Sequence, residues 1–147
     1  MNRPFLLVAT RVWLTEILVS GVNYFVLMKL VYEPLVGELT AHEIGMTTRM
    51  VYIFGFAYLL QRYGPEHQRR DLVHVGVLWL TLTLAFEWGG SLLIQRRPVD
   101  EILQGWHVWE GYMWPYVLAA YLSANVVVGW LFHPGEPGRQ ATPGMLR

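Results

Sequence analysis

Residues 72–94 read LVHVGVLWLTLTLAFEWGGSLLI and hold one formal charge in 23 positions, Glu87. At about 1.5 Å per residue, a helix of this length crosses the roughly 30 Å hydrocarbon core of a bilayer. An ionised carboxylate inside such a span is costly unless something pairs with it. The fold is therefore expected to bring a partner to Glu87.

Composition agrees with a membrane-embedded chain. Hydrophobic residues make up 54% of the 147 positions and charged residues only 15%, and mean hydropathy is +0.31. That is too apolar for a soluble domain of this size. The length accommodates four spans and little else, so a single bundle over residues 1–132 is expected, with no separate soluble domain. Formal net charge is zero and the basic residues are scattered, which argues against a nucleic-acid partner. The absence of Cys excludes disulfide and thiol chemistry.

Residues 5–28 read as the first span. Arg11 and Glu16 interrupt what a signal peptide would keep apolar, and the hydrophobic pattern runs on to Met28. Glu16, Ser20 and Asn23 fall at i, i+4 and i+7, on one face that belongs inside a bundle. Residues 29–43 form an acidic connector, and Thr40 with Glu43 has capping-box spacing for a second helix running to about Arg62. After a loop over 62–71, Asp71 is the expected cap of the third helix. Within residues 95–111, Val99, Ile102, Leu103 and Trp106 have the spacing of a short amphipathic helix on the periplasmic membrane surface, with Trp106 and Trp109 at headgroup depth. Residues 112–132 form an uncharged fourth span. Small residues Ala120 and Ala124 on that span, and Thr81, Ala85 and Gly89 on the third, are expected to let helices approach closely. Residues 133–147 hold three Pro and three Gly and are expected to be a disordered cytoplasmic tail. The fold class is thus an all-α, multi-pass, four-helix transmembrane bundle.

With four spans, both termini and the loop over 62–71 share one side. Arg3, Arg62, Arg69, Arg70, Arg139 and Arg147 lie there, against Lys29, Arg96 and Arg97 opposite. The positive-inside rule places that side in the cytoplasm.

Orientation turns positions into depths. Asn23, Arg49 and Glu87 come out roughly 8–10 Å from the outer ends of their helices, and Glu16 about 18 Å. An Arg fork against a carboxylate suits low dielectric, so Arg49 and Glu87 are expected to pair, with Glu16 a second acceptor. Ser20 and Thr83 are nearby hydroxyls for the carboxylates. The cluster Glu16, Asn23, Arg49 and Glu87 has two readings: a lock for helix register, or a binding site for an ion, proton or solute. His74 and His133 lie at similar depth and are the residues able to ligate a haem or pigment. The expectation is nevertheless that no cofactor is bound. His42, Glu43, His107 and Glu110 lack tight ligand spacing, so no metal site is expected. No catalytic triad, phosphate loop or zinc-protease motif occurs.

Four pieces carry a resemblance: Glu16 with Gly21, the PLVGE run over 34–38, the LTLAFE run over 82–87, and the GYMWP run over 111–115. Together they resemble a group of small four-helix bacterial inner-membrane proteins without an assigned function. Trp106-His107 stands where that group has Tyr-Asn, and a late Pro in the fourth helix is absent. The resemblance implies a bacterial cytoplasmic membrane and weight on Glu16 and Glu87, and no activity. The favoured expectation is a non-catalytic accessory or scaffolding subunit, embedded in lipid and packed against other integral membrane proteins, with Trp79, Trp88 and the aromatic residues of the second span as contact residues. The alternatives are a small transporter or channel-like protein using the Glu/Arg cluster, and a cofactor- or pigment-binding subunit of an electron-transfer complex. A water-filled cavity reaching Glu87 favours the transporter.

Overall fold

The structure, a computed structural model, describes residues 2–132. Asn2 caps α1 (Arg3–Val22) by accepting the Phe5 backbone N–H at 3.2 Å, with Pro4 in the first turn, where no N–H is needed. The helical path does not stop near residue 28. It widens into a π-helical segment (Asn23–Tyr32), passes into α2 (Glu33–Val36) and breaks only at Gly37, whose φ of 85° suits a residue without Cβ. Lys29 carries the helix on rather than ending it, because its Nζ lies 2.8 Å from Glu33 Oε2 one turn later. The expected connector over 29–43 thus shrinks to one glycine. Thr40, the expected cap, lies inside α3 (Glu38–Tyr63).

Gln68 and Asp71 form a capping box for α4 (Arg69–Gly89), so Asp71 is the third helical residue and not the cap. A second π-helical segment (Gly90–Ile94) continues α4. Short helix α5 (Val99–Gln104) and one 3-10 turn (Val108–Glu110) then lead into α6 (Trp114–Phe132). The described residues contain helices and no strand. The tail over 133–147, including His133, Arg139 and Arg147, lies outside them.

Among the described residues three stretches are long and apolar enough to cross a membrane: Arg3–Val36, Arg69–Ile94 and Trp114–Phe132, of 34, 26 and 19 residues. α3 matches them in length at 26 residues but carries Glu38, His42, Glu43, Arg49, Gln61 and Arg62. Two of these, Arg49 and Gln61, share its buried face with Gly45, Ile53 and Ala57.

Packing closes a square. α1 lies against α3 and α4, and α6 lies against α3 and α4, which leaves α1 opposite α6 and α3 opposite α4. One end is tied at the start of α1: the Asn2 N–H donates to Asp71 Oδ1 at 3.1 Å, its Nδ2 to the Glu66 carbonyl at 2.6 Å, and Phe5 stacks on His67 at 4.3 Å. Trp79 is fully buried and donates Nε1–H to the Ala9 carbonyl at 3.0 Å, so it is a core residue and not a partner contact. Ala120 and Ala124 are buried as expected, but their counterpart on α4 is Gly76, where a Cβ would stand 2.2 Å from the Leu122 carbonyl oxygen. Thr81 and Ala85 are exposed and Gly89 meets nothing within 4 Å. The stripe was placed on the wrong face: Thr83 is buried, and two residues of helix turn through about 200°.

α5 is only six residues long, with Val99 and Leu103 exposed and Ile102 half-buried. Its apolar side is left uncovered by the bundle.

Candidate functional site

Arg49 points into the square from the middle of α3, one turn from Gly45 and one from Ile53, and is 5% exposed. Its Nη2 donates to the Tyr121 hydroxyl at 2.9 Å and its Nη1 to Glu87 Oε1 at 3.4 Å. Its Nε lies 3.6 Å from Glu16 Oε1. The guanidinium also rests over the rings of Trp114, at 5.4 Å, and Tyr121, at 5.6 Å, a favourable placement for a partly desolvated cation.

Glu16 is the closed half of the network. It is fully buried, accepts the Ser20 hydroxyl at 2.6 Å on one oxygen and the Tyr121 hydroxyl on the other. Ser20 in turn lies 2.9 Å from the Tyr52 hydroxyl. Both diagonals of the square are joined here. Glu16 and Tyr121 connect α1 to α6, and Arg49 and Glu87 connect α3 to α4. One guanidinium therefore stands between two carboxylates, and the helix pairs that do not pack closely are held by polar bonds.

Glu87 is the open half, with a side chain 36% exposed. It forms part of the wall of a cavity of about 200 Å³. The first helical stretch, α3, α4, the start of α6 and the α5 region build that cavity. Lys29 and Glu33 come from the end of the first helical stretch, Glu38 and His42 from the start of α3, and Arg97 and Glu101 from the segment around α5. Tyr24, Trp88, Tyr112 and Trp114 supply aromatic wall. The two π-helical segments both contribute, through Met28 and Ser91 among others. Glu16 and Arg49 do not line it.

The structure thus brings together three of the four residues expected to cluster. Asn23 is buried, donates Nδ2–H to the Gly45 carbonyl at 3.0 Å, and meets the network at its edge through the Tyr52 hydroxyl. Gly45 is one turn from Arg49, about 6 Å along the helix. Thr83 was expected to serve a carboxylate; it accepts Trp13 Nε1–H at 2.9 Å instead. His74 is exposed on α4 and cannot ligate a group held inside the bundle. His42 Nε2 accepts the Met113 N–H at 3.3 Å, while His107 Nδ1 lies 3.4 Å from Glu110 in its own turn. Among the described residues no three His, Cys, Asp or Glu side chains converge as a metal site requires.

Tyr121 went unnoticed in the sequence because its helix is uncharged. A signal was present: a Tyr in the middle of an apolar span must find a partner for its hydroxyl. A second polar spot was missed in the same way. One turn beyond Tyr121, Asn125 is fully buried, and Gln61 Nε2 donates to its backbone carbonyl at 2.9 Å. The Asn125 side-chain amide itself has no partner among the described residues.

No known protein family, no curated protein and no solved structure matches the chain.

Proposed function

We propose that the protein is a four-span integral membrane protein that takes up a small solute in the cavity beside Glu87, as the entry site of a transporter-like protein. The cavity carries this reading: an open-walled space whose lining includes an intramembrane carboxylate is costly to keep for architecture alone. In this reading Glu87 meets the solute. Arg49, Tyr121 and Glu16 form the fixed floor that sets the orientation and charge of Glu87. α3 crosses as the fourth span because its polar residues Arg49 and Gln61 face inward, where the other helices shield them. The Arg distribution puts both termini in the cytoplasm and the cavity on the periplasmic side of a bacterial inner membrane, with α5 at that surface.

An accessory or scaffolding subunit is the second reading, favoured by one observation: Glu16, the most buried charge, has both oxygens hydrogen-bonded and does not line the cavity. A thermal-shift panel on the detergent-purified chain separates the two. The binding reading expects at least one class among amines, amino acids, sugars and carboxylates to raise Tm saturably, and expects Glu87→Gln to abolish that rise. A panel with no response, together with co-purification of another membrane protein in fixed ratio, replaces it with the accessory reading.

A further inference from the structure

We infer that the solute taken by this cavity is a small organic cation, a primary amine or a quaternary ammonium; the inference rests on the binding reading above and adds the charge class of the ligand. Lys29 is paired with Glu33 at 2.8 Å and Arg97 with Glu101 at 3.4 Å, so both cations are already matched. Two further carboxylates remain, Glu38 and Glu87. Glu38 makes no ion pair among the described residues. Glu87 shares a single guanidinium with Glu16. His42 adds no positive charge on the nitrogen that accepts the Met113 N–H. An anion entering this space meets unmatched carboxylates, while a cation offsets them.

The arrangement also selects the kind of cation. A bare metal ion needs several oxygen or nitrogen ligands converging on one point, and no such group of three exists among the described residues. The negative charge is spread along the wall, with aromatic rings between. Trp88, Tyr112 and Trp114 stand in the wall, and aromatic rings stabilise ammonium groups with a diffuse charge. Trp114 already does this for the Arg49 guanidinium at 5.4 Å. At roughly 30 Å³ per water, a volume of about 200 Å³ corresponds to about seven waters, the scale of a ligand with a handful of non-hydrogen atoms.

The helix geometry makes an independent point. The two π-helical segments, Asn23–Tyr32 and Gly90–Ile94, both border this cavity. Wide π turns recur at functional sites. Here Tyr24, Lys29 and Ser91, all on these two segments, stand in the wall of one space.

The test is calorimetric titration of the full chain in detergent micelles with choline and ethanolamine. Controls are 3,3-dimethylbutan-1-ol (the uncharged carbon isostere of choline), acetate and potassium ion. The expected result is saturable binding of at least one of the two amines, at least tenfold weaker binding of the isostere, and no competition from potassium at equal concentration. Glu38→Gln, at an exposed position, and Trp88→Leu should each weaken amine binding about tenfold while Tm in the absence of ligand stays within a few degrees of wild type. Equal binding of choline and its isostere overturns the inference, as does displacement by potassium. Preference for acetate overturns the cation class and leaves the binding reading standing. No saturable binding of either amine sinks the inference; if the thermal-shift panel is silent as well, the binding reading fails with it.

Discussion

Around Gly76 and Val128 helices α4 and α6 pack closely, with an open apolar groove left between α1 and α3 at that end, whereas beyond Arg49 the helices part around a cavity with charged walls. At the closed end the absence of a side chain brings backbones together: a Cβ on Gly76 would strike the Leu122 carbonyl at 2.2 Å, and one on Gly129 would strike Leu72 Cδ1 at 2.4 Å. At the open end Gly89 and Gly90 meet nothing within 4 Å. Helices in lipid gain little from burying apolar surface against each other, so close packing and polar bonds decide where they hold. The closed end is held mainly by packing. Where the helices part, a four-residue polar network replaces it, joining both diagonals at one point.

That division is sharpened most by comparing the two carboxylates of the network. Glu16 is fully buried with every oxygen engaged, while the Glu87 side chain is 36% exposed and 3.4 Å from Arg49. Removing one member of an enclosed ion pair leaves its partner charge uncompensated, at a cost of about 3–5 kcal/mol. A pair open to water contributes about 1 kcal/mol or less. Glu16→Gln should therefore lower stability several-fold more than Glu87→Gln, measured as Tm in detergent or by titration with a denaturing detergent. Equal losses would break the contrast between a closed floor and an open wall.

The membrane character of the chain, its helical content and the meeting of Glu16, Arg49 and Glu87 could be read from residue type and spacing. Charges inside apolar stretches are rare enough that each must find a partner. What could not be read was rotation and continuation. Thr81 and Thr83 look alike in sequence, yet only Thr83 faces the core, because nothing local says which side of an apolar helix faces lipid. Lys29 reads as the end of a span, and the Lys29–Glu33 pair instead extends the helix by two turns. The cavity was illegible for the same reason. Its walls come from the helix extension, the start of α3 and the α5 region, and their meeting depends on that extension.

Glycine substitutions probe the same contrast with opposite signs. Gly76→Ala places a methyl against backbone that cannot rotate away, so α4 and α6 must separate; overpacking of this kind costs about 1–3 kcal/mol. Gly89 is helical and has open space around it. Gly89→Ala should be neutral or gain up to about 1 kcal/mol, the helix preference of Ala over Gly. Both are read from Tm in one detergent. A loss at Gly89 comparable to that at Gly76 would mean that the open end closes in the membrane.

The smallest expected effect concerns Asn125, which tests whether the closed end is dry. Its backbone carbonyl accepts from Gln61 Nε2, but its side-chain amide is fully buried with neither atom bonded among the described residues. A buried amide left without partners costs about 1–3 kcal/mol, and an apolar group of similar shape removes that cost. Asn125→Leu keeps the branched shape of the amide with a modest gain in bulk and leaves the Gln61 bond to the backbone in place. In a dry, tightly packed region it should raise stability, by about 1 kcal/mol. Glu87→Leu does the reverse at the open end, since it strips Arg49 of one of its two carboxylates. If Asn125→Leu lowers stability instead, the amide is satisfied by something small held between α3 and α6, and the polar seam continues past Tyr121 into the half of the bundle that packing alone was taken to hold.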